Sequence, residues 1–404
     1  MSIVLFGACA APDATSSPSP APTAAPSFVV TSAPSPSSAS VAPSSPSAAP
    51  TASPTAAPTA SPTAAPTASP TAAPTDAPAA APVLVAVNCS VCWPLTGRPV
   101  AGGDVTRRPL VVKIDNAPLA RPHRGITRAD VVFETLVEGF VTRLAAVFQS
   151  QDPEVVASVR SARLTDLSLA PMVRGALAYS GASDYEIPLL AADERRGRFI
   201  YVGATRLGLY YRLPDKPAPN NLAARTADLR AALARIDPTP VAVPPWSFVA
   251  GIHEPAAGGL AAATAAAELT IPYRTDRVLV TYRYDAASRT YARWQNQDAL
   301  GAVRTVDAED GRPVAAANVV IVRTEVREVP QIVDAGGFVS YDSRLTGGGP
   351  VTIFRDGLRQ EGRWERVDDF AAFRFVTAAG APILLAPGQT WVHVIPSDWA
   401  VTSR

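Results

Sequence analysis

The sequence is poor in lysine, histidine, cysteine and unbalanced charge. Only Lys113 and Lys216 are lysines among 36 basic residues, so nearly every cation is an arginine. Against 35 acidic residues the net charge is +1, which leaves no whole-molecule field to steer the chain toward nucleic acid or an anionic membrane. The three histidines, His123, His253 and His393, are isolated, and no cysteine or histidine spacing suits zinc, so no metal is expected. No nucleophile elbow or phosphate loop occurs, so no cofactor is expected either; Thr346 to Pro350 holds three glycines but reads as a turn. Ala256 to Ala267 is apolar only by alanine and glycine, too short and weak to span a bilayer. Glycines without triplet period exclude a collagen.

Proline is what the chain has in excess. Of 41 prolines, 18 fall between Pro12 and Pro82, in a stretch otherwise of alanine, serine and threonine. The octet Thr-Ala-Ser-Pro-Thr-Ala-Ala-Pro occurs three times between Thr51 and Pro74 and offers nothing to bury. Residues 10–88 are expected to be a disordered tether; at ~3.1 Å per residue in polyproline II it reaches on the order of 200 Å. Asp13 and Asp76 are its only charges.

Cys9 closes Leu5-Phe6-Gly7-Ala8-Cys9, a short apolar run ending in small residues, similar to a bacterial lipobox whose cysteine is lipidated. The apolar stretch is far below the ~7–15 residues of a working signal and lacks a basic flank, so residues 1–9 read as a truncated signal. The expected partner is thus the membrane, through a lipid on Cys9. Cys89 and Cys92 form Cys-Ser-Val-Cys before Trp93-Pro94; without a helix N-terminus behind them, a local disulfide in an oxidising compartment is the expected state.

The remaining sequence alternates strands and helices up to about residue 240. A strand at Leu110 to Ile114 ends in Asp115-Asn116, and a basic loop with Arg121-Pro122 follows. Val131 to Glu138 and Val141 to Gln149 read as a hairpin turning at Gly139. Helices are expected at Thr165 to Arg174, at Tyr185 to Arg196, and from a Thr226 cap through Leu229, Leu233 and Ile236. From about residue 245 the pattern is almost wholly strand. It includes one long strand at Val319 to Val329, a hairpin turning at Asp356-Gly357, and closing strands at Ile383 to Leu385 and Trp391 to Ile395. The expected fold class is α+β: a mixed α/β domain over 92–240, then a β-rich domain over 245–400.

A charged set in the first domain is the candidate site. Glu134 and Glu138 share a strand face, and a two-residue turn at Gly139-Phe140 puts Arg143 diagonally between them. The two carboxylates lie ~13 Å apart, too far to serve alone as a glycosidase pair. Arg160 and Arg163 share a face if helical, and their guanidinium forks either clamp an anion or neutralise internal acids. Glu134, Glu138 and Arg143 read more readily as a half-exposed ion-pair ladder of the fold.

Arg108-Pro109-Leu110-Val111-Val112-Lys113-Ile114-Asp115-Asn116, Ala120-Arg121-Pro122, Ala129-Asp130-Val131-Val132-Phe133-Glu134, Val137-Glu138-Gly139, Thr142-Arg143, Val159-Arg160-Ser161-Ala162-Arg163 and Asn221-Leu222 resemble the YerB-like bacterial lipoprotein family. So do Ala317-Asn318-Val319, Phe354-Arg355-Asp356-Gly357, Gly362-Arg363-Trp364 and Pro387-Gly388-Gln389-Thr390-Trp391. The resemblance runs from about Pro94 to Pro396; Ala157-Ser158 departs from it, standing where the family has Gly-Pro. It implies a two-domain, membrane-anchored extracytoplasmic protein without an established activity. The expected function is a binding or scaffold module of the cell envelope. Asp115, Asn116, Arg121, Glu134, Glu138, Arg143, Arg160, Ser161 and Arg163 would hold a cell-wall ligand or an envelope protein, with no nucleic acid. The alternative is a hydrolase or transferase on wall polymers, with Glu134 or Asp115 as acid/base and arginines on the developing charge.

Overall fold

The computed structural model describes residues 91–249, 263–274, 278–296, 301–334 and 336–404. Cys9, Cys89, His253 and the tether over 10–88 lie outside these residues. In chain order the first half contributes β1 (Leu110–Asp115), β2 (Val131–Leu136), β3 (Thr142–Phe148), β4 (Val155–Ala157), α1 (Asp166–Met172), β5 (Ala176–Ala178), α2 (Glu186–Arg195), β6 (Ile200–Tyr201), β7 (Tyr210–Arg212), β8 (Leu222–Arg225) and α3 (Thr226–Ile236). The second half is built of strands: β9 (Thr264–Ala265), β10 (Glu268–Arg274), β11 (Val278–Asp285), β12 (Thr290–Asn296), β13 (Ala302–Arg304), β14 (Ala315–Ala316), β15 (Asn318–Thr324), β16 (Val326–Val333), β17 (Val339–Ser343), β18 (Gly347–Arg355), β19 (Leu358–Arg366), β20 (Arg374–Val376), β21 (Thr390–Pro396) and β22 (Thr402–Ser403). A mixed α/β part followed by a β-rich part is the architecture the residue patterns call for.

One eleven-stranded sheet runs through both halves in the order β20-β19-β18-β15-β21-β2-β3-β1-β5-β6, with β9 attached to β19. The joint is β21, parallel to β15 on one side and to β2 on the other. β1, β2 and β3 are buried at every residue, which is why they read as near-continuous apolar runs. Val112, Ile114, Val132, Leu136, Leu144 and Ala146 face a core shared with Tyr273, Tyr282 and Tyr291 of the second sheet, β13-β12-β11-β10-β22. Val111, Phe133, Ala145 and Val147 face the opposite core, filled by Leu169 and Met172 of α1 and Leu190 of α2. The central sheet is thus covered by strands on one face and mainly by helices on the other.

Four local expectations change. The apolar run Val319 to Val329 is two strands, because the chain leaves the large sheet after Thr324 to pair β16 with β17. Ile383 to Leu385 forms no strand; Leu385 makes only an isolated parallel bridge to Phe248. α1 is shorter than the pattern at both ends and is followed by Arg174 at φ 54. Thr226 is inside α3 and not its cap, its hydroxyl donating to the Pro153 carbonyl. The turn at Asp356-Gly357 is as its chemistry requires, with φ of 54 and 74. Among the described residues no helix is long and apolar enough to cross a membrane.

Candidate functional site

The β2–β3 connection decides how the predicted residues are distributed. The Val137 amide donates to the Val141 carbonyl at 2.9 Å, so the loop holds three residues, Glu138, Gly139 and Phe140. Gly139 supplies φ +68 and Phe140 follows at 59. The pairing is therefore Glu134 with Leu144, Thr135 with Arg143 and Leu136 with Thr142. This is one residue away from the register that a two-residue turn imposes. Because side chains alternate, a one-residue slip moves Arg143 to the other face of the sheet. Arg143 does not lie between Glu134 and Glu138; the sheet separates it from Glu134.

On the strand-covered face, Glu134 is sealed from solvent. Its Oε1 accepts from Asn116 Nδ2 at 3.1 Å and Thr142 Oγ1 at 2.8 Å, and its Oε2 pairs with Arg293 at 3.0 Å. Arg293 also donates to Thr305 (3.0 Å) and Gln295 (2.8 Å), with its guanidinium over the Trp391 ring. His393 of β21 sits between the hydroxyls of Tyr273 (2.8 Å to Nδ1) and Tyr282 (2.9 Å to Nε2). Tyr273 donates to the Glu134 carbonyl, which puts the imidazole proton on Nδ1 and leaves Nε2 to accept from Tyr282. Burial pushes His393 down, opposed by Glu134 and reinforced by Arg293, to about 4. Glu134 and Asn116, placed in the ligand set by their sequence context, are groups of this buried network and have almost no surface for a ligand.

On the helix-covered face the remaining charges do converge. Residues 159–162 follow the end of β1: the Arg160 amide donates to the Lys113 carbonyl, and Ser180 donates back to the Arg160 carbonyl. This segment is extended, so Arg160 and Arg163 are not on a helix face. Arg160 pairs with Asp115 at 2.9 Å, and Asn220 donates to the same oxygen at 2.8 Å. Arg163 forks onto Glu138, its second contact at 2.8 Å, and lies 3.8 Å from Glu186 of α2. Arg143 donates to the Ser161 carbonyl at 2.9 Å. Burial alone would raise Glu138, but the bonds and charge of Arg163, with Arg143 beside it, hold its carboxyl at about 2. Burial and the neighbouring Arg163 lower Arg143 to about 10.

The sequence reading placed Asp166 among the acids that Arg160 and Arg163 could neutralise and missed its pairing with Lys113, at 2.8 Å with neither side chain exposed. A lysine inside the apolar run Leu110 to Ile114 was the available signal, since a buried ammonium needs a partner. Burial lowers Lys113, and Asp166 opposes the shift. Arg293, Tyr273, Tyr282 and Asn220 were missed for want of any local signal. Arg121 is elsewhere: it donates to the Asn296 carbonyl at 2.7 Å and lines a separate cavity. Cys92 is disulfide-bonded.

Comparison with known proteins places this architecture. Residues 95–239 match the family described as "Protein of unknown function (DUF3048) N-terminal domain", and residues 269–392 match its C-terminal domain. The chain is 31% identical over 310 residues to "Putative lipoprotein YerB" of Bacillus subtilis (strain 168), covering 75% of this chain and 86% of that protein. The crystal structure of YerB protein from Bacillus subtilis superposes with a TM-score of 0.64 at 28% identity, over 77% of this chain and 99% of that one. With both of its parts present in order and a relative matched over most of its length, the chain belongs to the DUF3048 family of YerB-like proteins.

Proposed function

We propose that the chain is an extracytoplasmic lipoprotein, anchored through Cys9 to the outer face of the cell membrane, whose folded head is a non-enzymatic binding module of the envelope. The site is the cluster of Asp115, Glu138, Arg143, Arg160, Ser161 and Arg163. One observation carries the reading: Arg160 pairs with Asp115 and Arg163 with Glu138, yet Arg160 keeps surface of its own. The Arg160 side chain is 25% exposed, enough to meet a partner without leaving Asp115. α2, whose Glu186 reaches Arg163, turns Ile187 and Leu189 outward, and Tyr185 just before it is exposed as well, at 40–51%. Paired charge bordered by apolar side chains suits recognition. Acid catalysis is poorly served, since Glu138 at about 2 stays ionised at neutral pH and one Asp115 oxygen already pairs with Arg160 and accepts from Asn220.

The test uses the full chain against isolated cell-wall polymer and against detergent-extracted envelope proteins. Wild type is expected to retain a partner that both Arg160→Ala and Ile187→Asp lose. Equal recovery by all three sinks the site, and release of soluble wall fragments favours a hydrolase instead. Lipidation is checked by metabolic labelling with a fatty-acid analogue, which Cys9→Ser should abolish. A Cys89–Cys92 bond is the expected disulfide, to be confirmed by mass spectrometry of unreduced peptides.

A further inference from the structure

A cavity of about 210 Å³ shares no residue with the Asp115–Arg163 cluster; Thr96, Arg98, Asp130, Gln151, Arg312 and Gln389 are in its walls. Gln389 is a fixed wall: its Nε2 donates to the carbonyls of Ile126 (2.9 Å) and Ala129 (2.7 Å), and its Oε1 accepts from the Trp391 indole at 3.0 Å. A Cβ on the neighbouring Gly388 would come within 3.4 Å of Arg98 Nη2, so the Arg98 guanidinium rests against this backbone at the cavity edge. Arg98 is exposed, and among the described residues no carboxylate is in salt-bridge reach of it. On another wall Arg312 donates to Thr127 Oγ1 at 3.2 Å, its charge offset by Asp310 at 2.6 Å. Gln151 Oε1 accepts from Arg128 at 3.2 Å; a guanidinium only donates, so the Gln151 Nε2 is left as a donor. The buried Thr96 hydroxyl accepts from the Arg98 amide at 3.4 Å, and among the described residues its own proton has no acceptor. The carboxylate of Asp130 is held by the amides of Gln149 and Ser150 and by the Ser150 hydroxyl. The walls thus offer donors in excess, with one uncompensated cation, Arg98.

We propose that this cavity binds an oxyanion group carried on a hydroxylated body. Arg98 takes the charged oxygens, with the Gln151 amide and the Thr96 hydroxyl as further donors. A guanidinium fork matches two oxygens of a carboxylate or of a phosphate. The apolar part of the walls is limited to Ala129, Pro313 and Ala315, so a hydrocarbon body gains little by burial there. The volume is below the roughly 300–1,000 Å³ of sites for drug-sized ligands, so the anionic group and its nearest atoms enter and the rest stays at the mouth. A sugar acid and a sugar phosphate both offer this chemistry.

Calorimetric titration of the full chain separates these sources. Glucuronate stands for the sugar acid and glucose 6-phosphate for the sugar phosphate; glucose removes the charge, and hexanoate removes the hydroxyls. Saturable binding of at least one of the two sugar anions is expected, with the tighter one identifying the source. Glucose and hexanoate should bind roughly tenfold more weakly or worse. Arg98→Gln should cost a similar factor while leaving the melting temperature unchanged, since the side chain is exposed and holds no carboxylate among the described residues. Gln151→Glu, which keeps an acceptor for Arg128 but puts a negative charge into the wall, should abolish binding. The proposal is overturned if neither sugar anion saturates, if glucose or hexanoate binds as well as they do, or if either variant binds like wild type.

Discussion

Arg293 Nη2 lies 3.0 Å from Glu134 Oε2, and neither side chain has any exposed surface. The two residues come from different parts of the family pattern, Glu134 from β2 in the central sheet and Arg293 from β12 in the sheet packed over it. Together with Asn116, Thr142, Thr305 and Gln295 they form one connected network, a polar peg inside an otherwise apolar layer.

Removing one partner of such a pair leaves an uncompensated buried charge. Arg293→Leu is expected to destabilise the head by ~3–5 kcal/mol. Adding Glu134→Gln should recover part of that loss, because the amide keeps the bonds to Asn116 and Thr142 without the charge. Urea unfolding of the two single variants and the double variant checks this; simple additivity would contradict the coupling.

Acid should weaken the fold in two steps. His393 is held neutral in the folded state at about 4, below its ordinary 6.5. The unfolded chain therefore takes up this proton first, and the contribution of the neutral ring, full above pH 6.5, is lost as pH falls toward 4. Glu138, at about 2 against an ordinary 4.5, contributes fully above pH 4.5 and is lost as pH falls toward 2. Each step is on the order of 3 kcal/mol. His393→Gln, which can still bond both tyrosines, should remove the upper step, and Glu138→Gln the lower one. Unfolding free energies at a series of pH values check both.

Gly357→Ala should cost at least ~1 kcal/mol. Its φ is +74, and a Cβ there would come within 2.8 Å of the Tyr284 ring. Thermal melting of the variant is sufficient to test this.

Ser158, where the family resemblance breaks, has φ 63. Its hydroxyl is shared between the carbonyls of Asn220 (2.7 Å) and Ala120 (3.0 Å). Ser158→Ala should lose ~1–3 kcal/mol, since both buried acceptors lose their donor and the backbone strain stays. Ser158→Gly should lose less, because glycine accepts the positive φ. Chemical denaturation of the pair gives the order.

Local chemistry in the sequence determined the central strands, the Asp356-Gly357 turn, the helical stripe of Leu229 and Leu233, and the division into a mixed and a β-rich part. Each rests on neighbours within a few residues: alternation, turn conformation, or helical spacing. Tertiary structure decided the rest. Whether the β2–β3 loop held two or three residues depended on Gly139 and Phe140 both adopting positive φ, and that choice put Arg143 and Glu134 on opposite faces. The partner of Glu134 comes from a strand far along the chain, whose pairing leaves no periodic trace. Burial then set the roles: the same carboxylate chemistry is a sealed structural group at Glu134 and a cluster member at Asp115, where Arg160 reaches solvent. A sequence carries the charge of a side chain, but the sheet on which it lands decides what that charge meets.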